Sequence, residues 1–169
     1  METRVFAAFL SELLEKIPGK KAFQKMVYFG QVLGIPLDHS YKMYFYGPYS
    51  ETVADELASA ERNNIISQIN AFCYGPGENS EAVIEQGSDQ IIENIDAIEK
   101  LVGLFGNMSP LELELYATVH FIDNSQKSLY NNNDKTVIMD VVKRVKGTKF
   151  EITQIETAYN ELENWGLLM

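Results

Sequence analysis

The residue types that could do covalent or metal chemistry are few in this chain of 169 residues. It has one cysteine, Cys73, and two histidines, His39 and His120. A thiol–imidazole dyad needs Cys73 beside a histidine, but a lone cysteine in an apolar strand pattern is far more often buried and inert. His120 and Asp123 are spaced i, i+3 on a predicted helix and could supply two metal ligands. Two ligands do not make a site, so we predict no metal and no cofactor.

Motifs of well-known enzyme classes are also missing from the sequence. There is no glycine-rich phosphate-binding loop and no Gly-x-Ser-x-Gly elbow. Ser50 follows a proline turn in "GPYS", but no motif ties a histidine to it, and we interpret its hydroxyl as a helix N-cap. We therefore predict no catalytic residues and a protein that is not an enzyme.

Charge is distributed unevenly along the chain, whose formal net charge is −10. A charge of this sign repels nucleic acid phosphates and anionic membranes. Residues 63–99 contain no lysine or arginine, and their acidic residues are Glu78, Glu81, Glu85, Asp89, Glu93, Asp96 and Glu99. Two short segments are basic instead, and they supply a candidate basic patch of Lys20, Lys21, Lys25, Lys143, Arg144 and Lys146. The patch would dock an acidic partner; the alternative is that these charges belong to helix ends and turns.

Length and composition predict one globular domain over residues 1–169. The chain is 46% hydrophobic and 22% charged, which is ordinary usage for such a domain. A lone cysteine forms no internal disulfide, so nothing calls for an oxidising compartment. The segment "METRVFAAFLSELLEK" has an acidic residue at position 2 and only a short apolar run, unlike a secretory signal or a membrane span. We expect a cytoplasmic protein that does not bind membranes.

The positions of apolar residues predict the elements that must carry any site. Apolar residues at 3 and 4 spacing predict seven helices, over about 6–17, 20–33, 51–63, 88–105, 109–122, 135–146 and 152–165. Period-2 patterns predict a strand over about 41–46 and a second over about 65–74 that pairs with it. The expected fold is mainly α (α+β), a helical domain with a small β-hairpin. Its parts are a winged-helix-like part over about 1–74, a polar loop over 75–87 and a helical part over about 88–169.

The stretch "YKMYFYGPYSE" is the densest aromatic cluster in the chain. Strand parity predicts that Tyr41, Met43 and Phe45 face the core while Tyr44 and Tyr46 face a second surface. Exposed tyrosines commonly anchor a partner. The candidate partner-binding surface is therefore Tyr44, Tyr46, Gly47, Pro48 and Tyr49. The alternative is that the chain's own C-terminal helices cover this surface.

A winged-helix order would make the helix over 51–63 a recognition helix for nucleic acid. That helix carries four acidic residues and one basic residue, Arg62, so it would repel the backbone that it has to approach. Nucleic acid is not the expected partner. The alternative function is a winged-helix nucleic-acid-binding regulator, which requires the two basic segments to converge on one face.

Two segments, "FQKMVYFGQVLG" and "FYGPYSETVADELASAERNNII", carry a family resemblance. They resemble the YwgA-like proteins of prokaryotes and, more distantly, the SocA-type antitoxin (Panacea) domain. The residues of the shared pattern are Lys25, Tyr28, Phe29, Tyr46, Gly47, Pro48, Leu57 and Ile65. The resemblance implies a mostly helical, non-enzymatic protein-binding module, antitoxin-like or proteolytic-adaptor-like, with a toxin or a protease component as partner. It supplies no catalytic residues, and a homodimer is left open.

Overall fold

The computed structural model describes residues 1–168. Its helices and strands, in chain order, are α1 (Thr3–Leu14), α2 (Gly19–Val32), β1 (Lys42–Tyr44), β2 (Gly47–Tyr49), α3 (Glu51–Arg62), β3 (Ile66–Asn70), β4 (Cys73–Pro76), α4 (Ser80–Gln86), α5 (Ser88–Phe105), α6 (Pro110–Tyr130), α7 (Lys135–Lys146) and α8 (Ile152–Asn164). The predicted fold class is confirmed: the chain is mainly helical with a minor antiparallel β component. None of the helices within these residues combines the length and the apolarity needed to cross a membrane.

The described residues form eight helices rather than the seven predicted, because the expected polar loop over 75–87 contains α4. This short helix packs on α1, with Val83 buried. Gly87, at its end, lies so close to Val5 that a Cβ there would be 2.4 Å from the valine side chain. A helix of seven residues with one buried apolar side chain is too short to show a period in the sequence.

The predicted pairing of the two strands is wrong. The structure has two separate antiparallel hairpins, β1–β2 and β3–β4. In the first, Lys42 pairs with Tyr49 and Tyr44 pairs with Gly47, so the chain turns at residues 45–46. The turn comes before Gly47, which has a φ of +83° and begins the return strand instead of ending the first one. The order helix, helix, hairpin, helix, hairpin occupies residues 3–76, and its likeness to a winged helix stays a prediction.

Helix α6 is the central element of the fold, in contact with α2, α7, α8 and β2. Its residues 113–120 are all buried, as expected for a helix that is covered on every side. The capping box predicted at its start is confirmed, since Ser109 and Glu112 each bond the other's backbone N–H. Buried apolar side chains from both the first and the second half of the chain join one continuous core. At its centre Phe29 stacks on Phe105 with ring centroids 3.9 Å apart.

Candidate functional site

A groove of about 590 Å³ opens between hairpin β1–β2, the start of α2 and helix α3. We call it the hairpin groove. Its walls combine lysines from α2, aromatic side chains from the hairpin and small or apolar side chains from α3. The lining residues are Lys20, Lys21, Gln24, Lys25, Tyr44, Phe45, Tyr46, Gly47, Tyr49, Ala54, Leu57, Ala58 and Glu61.

A buried carboxylate lies behind the hairpin and binds three lysines. Glu114 of α6 has no solvent exposure. Its oxygens accept hydrogen bonds from the Nζ atoms of Lys21 at 2.9 Å, Lys146 at 2.8 Å and Lys149 at 2.7 Å. Burial by itself raises the pKa of Glu114, but the bonds from the three lysines outweigh it and lower that pKa to about 2. We call these four residues the Glu114 cluster.

Two buried lysines also fix the backbone of the hairpin. Lys146 Nζ donates a second hydrogen bond to the carbonyl oxygen of Phe45 at 2.9 Å. Lys25 Nζ donates to the carbonyl oxygen of Pro48 at 2.6 Å, and the Lys25 side chain is almost completely buried. This burial lowers the pKa of Lys25 to about 7, although the charge of Glu114 opposes the change. The carbonyls of Phe45 and Pro48, which precede and follow Tyr46 and Gly47, are thus held by side chains from the protein interior.

The side chains at the tip of the hairpin point outward. Phe45 is 91% exposed, Tyr46 is 61% exposed and Tyr44 is 47% exposed. The ring of Tyr46 lies under the ammonium groups of Lys21 and Lys149, which are 4.8 and 4.9 Å from its centroid. Tyr44 and Tyr49 are in contact, with ring centroids 5.3 Å apart. The tip therefore presents aromatic surface to solvent while its backbone is held in place.

The structure places the predicted partner-binding residues in two groups. Tyr44 and Tyr46 are exposed, and Tyr49 is partly buried in the groove. Gly47 and Pro48 are buried, so they position the hairpin and do not offer side-chain surface. Lys149, from the C-terminal part of the chain, reaches Tyr46 but leaves most of its ring open to solvent.

The prediction that Phe45 faces the core is wrong. Side chains alternate between two faces only along a continuous strand, and the turn at residues 45–46 ends β1 at Tyr44. Phe45 therefore has the most exposed aromatic side chain among the described residues. An apolar residue at a hairpin tip looks the same in sequence as one inside a strand, so nothing in the pattern distinguished the two.

The predicted basic patch does not form as one exposed surface. Lys21, Lys25 and Lys146 do converge, but Lys25 and Lys146 are buried, and Lys21 and Lys146 bond to Glu114. Of the other three members, Lys20 is exposed and lines the hairpin groove, Arg144 is exposed and does not line it, and Lys143 donates to the carbonyl oxygen of Phe150 at 2.6 Å. Sequence reasoning missed Glu114, which in "LELEL" resembles any solvated helix residue.

The two histidines considered for catalysis or metal binding have other partners. His39 bonds through both ring nitrogens, to Thr3 Oγ1 at 2.7 Å and to Thr52 Oγ1 at 2.8 Å. His120 is buried and its Nδ1 lies 2.7 Å from the hydroxyl of Tyr28. Burial lowers the pKa of His120 to about 4. Within residues 1–168 no group of three or more His, Cys, Asp or Glu side chains is placed to hold a metal ion.

The chain is similar to one curated bacterial protein along most of its length. It is 22% identical over 151 residues to the uncharacterised protein YwgA of Bacillus subtilis (strain 168), across 88% of this chain and 89% of YwgA. No protein family model matches the chain. The similarity supports the YwgA-like resemblance over most of the chain, and because YwgA is itself uncharacterised, it brings no activity with it.

Proposed function

We propose that the protein is a non-enzymatic protein-binding module that engages its partner through the tip of hairpin β1–β2 and the adjoining hairpin groove. The observation that carries this proposal is the 91% exposure of Phe45 on a turn whose carbonyl is bonded by the buried Lys146. Single exposed apolar residues are ordinary on protein surfaces. Here Phe45 adjoins two exposed tyrosines and a concave groove, which together make a surface suited to a partner.

Rigidity is the physical reason to connect this hairpin with binding. Association costs free energy when flexible side chains and loops must be ordered at an interface. The carbonyls of Phe45 and Pro48 are already fixed by Lys146 and Lys25, so the backbone of the tip loses little freedom when a partner arrives. Tyrosine and tryptophan are enriched among the residues that contribute most of the binding energy at interfaces, and the tip carries two exposed tyrosines.

The resemblance to the SocA-type antitoxin domain supports a protein partner, because several residues of the shared pattern meet at this site. Tyr46, Gly47 and Pro48 form the turn and the return strand, and Lys25 holds the carbonyl of Pro48. We propose an antitoxin-like or proteolytic-adaptor-like role on this basis, with a toxin or a protease component as the kind of partner.

We do not favour the alternative of a nucleic-acid-binding regulator. It needs the two basic segments on one exposed face, but Lys25 and Lys146 are buried and Lys143 bonds to the carbonyl oxygen of Phe150. Helix α3 exposes Glu51, Asp55 and Glu56, whose charges repel phosphate.

Site-specific photocrosslinking tests the proposal. The crosslinking residue p-benzoylphenylalanine is placed at Phe45 in one variant and at Tyr130 in a matched control. Tyr130 is also exposed, at 69%, and lies about 24 Å along α6 from Glu114 at about 1.5 Å per residue. In lysate of the source organism, we expect a discrete protein adduct from position 45 and none of that mass from position 130. Equal adducts from both positions, or none from position 45, would overturn the proposal.

A further inference from the structure

The hairpin groove has a positive rim on a protein of net charge −10. Three lysines of the Glu114 cluster share one carboxylate, which leaves two positive charges in excess. Lys21 lines the groove, and Lys149 lies beside it with its Nζ 4.9 Å from the ring centroid of Tyr46; their side chains are 31% and 34% exposed. Lys20 is exposed and makes no ion pair with any residue of the described chain. Acidic groups that approach this rim are therefore attracted.

The opposite wall of the groove is apolar. Helix α3 contributes the small side chains of Ala54 and Ala58 and the edge of Leu57, which is otherwise buried. Their small size leaves the space that the groove occupies. Its volume of about 590 Å³ is within the range of sites that enclose most of a small ligand or a few side chains. Glu61 lies on the same wall and would repel a carboxylate there, so acids are directed towards α2.

We propose that the occupant of the hairpin groove is a short acidic peptide segment of the partner protein with one large apolar side chain as its anchor. The carboxylates of the segment meet Lys20, Lys21 and Lys149, and the anchor side chain packs on Ala54, Leu57 and Ala58. This inference rests on the proposed protein-binding function and adds the chemistry of the partner. Charge complementarity selects this occupant, because a second copy docked through the same face would bring lysines against lysines.

Peptide selection on the purified protein tests the inference. Phage-displayed random dodecapeptides are selected against the wild-type protein, and the enriched sequences are synthesised with a fluorescent label. We expect them to carry several Asp or Glu residues beside one Leu, Ile, Met, Phe or Trp. Binding, followed by fluorescence anisotropy, should weaken with added salt because the rim lysines are partly exposed.

Two charge-reversed variants and one blocked variant locate the binding. Lys20→Glu should weaken binding of the enriched peptides by about fivefold, the loss expected when one well-formed exposed ion pair is removed. Lys16→Glu is the matched control, since Lys16 is exposed but does not line the groove, and it should bind like the wild type. Ala58→Trp places a large side chain in the groove and should abolish binding of the peptides. This variant is used only if its thermal unfolding matches that of the wild type. Otherwise the comparison of Lys20→Glu with Lys16→Glu locates the binding site.

Several outcomes would overturn the inference: enriched peptides that are neutral or basic, no enrichment at all, or equal effects of Lys20→Glu and Lys16→Glu. Self-association that Ala58→Trp abolishes would assign the groove to a second copy instead. These failures are distinct from failure of the proposed function, because the selection uses no partner from the source organism. A specific adduct at position 45 without acidic peptide binding would keep the function and remove only this occupant.

Discussion

Glu114→Gln should lower the free energy of unfolding by about 3 kcal/mol at pH 7. The pKa of Glu114 falls from 4.5 to about 2 on folding, and such a change corresponds to about 3 kcal/mol. Breaking a buried ion pair by removing one partner costs a similar amount, about 3–5 kcal/mol. Burial lowers the pKa of Lys146 and the bond to Glu114 raises it, so removing the Glu114 charge should lower the pKa of Lys146 further.

Urea denaturation across pH measures this effect and its sign. A carboxyl group whose pKa is lower in the folded state stabilises the protein above its unfolded pKa, near 4.5, and this contribution is lost as the pH falls towards 2. The difference between wild type and Glu114→Gln should therefore shrink from about 3 kcal/mol at pH 7 to nearly zero at about pH 2. Glu99→Gln, at an exposed position on α5, is the control and should change stability by less than about 0.5 kcal/mol.

A loss below about 1 kcal/mol for Glu114→Gln at pH 7 would refute the reasoning, since it would fall within the range of an ordinary substitution. A loss that stays the same at every pH would also refute it. In that case the variant would be disturbing packing on α6, and the charge of Glu114 would not be what holds Lys21, Lys146 and Lys149 in place.

Three further predictions concern the elements around the site. Ser50→Ala should cost about 0.5–2 kcal/mol in urea denaturation, because Ser50 Oγ accepts a backbone hydrogen bond at the start of α3. Gly47→Ala should lower the melting temperature more than Gly34→Ala. Both glycines have positive φ, but a Cβ at position 47 would lie 2.8 Å from Thr118 Oγ1, while position 34 faces open space. Equal decreases in melting temperature would contradict the close packing of the hairpin on α6. The imidazole of His120, followed by NMR, should titrate near pH 4. Because its folded pKa lies below the ordinary 6.5, its contribution to stability is present above pH 6.5 and is lost as the pH falls towards 4. A midpoint near 6.5 would show that His120 is not buried.

Features that depend on neighbours in sequence were predictable. The capping box of α6 needs only Ser109 and Glu112, three positions apart, and the cap of α3 needs only Ser50 and the start of its helix. Both are visible in the sequence because residue type and spacing alone set the geometry. The helical periods likewise gave the long helices, since a buried face repeats many times along each of them.

Features that depend on distant partners were not predictable in the same way. Lys21 bonds to Glu114, which lies 93 residues away, and no local pattern connects them. Charged residues are almost always solvated unless they are paired, so Lys25 and Lys146 were expected at the surface. The exposure of Phe45 was missed for a different reason: the position of a two-residue turn decides it, and aromatic residues rarely mark such a turn.

The bond between Lys146 and the carbonyl of Phe45 also has a consequence for the order of events during synthesis. The two residues are 101 positions apart, and ribosomes add about 5–20 residues per second. Lys146 therefore leaves the ribosome about 5–20 s after Phe45. During that interval the nascent chain has the hairpin tip without the hydrogen bond from Lys146 to the carbonyl of Phe45, and the Glu114 cluster lacks Lys146 and Lys149. A partner that requires the fixed tip would thus find it only on chains whose seventh helix has been made, which favours binding after translation over capture of the growing chain.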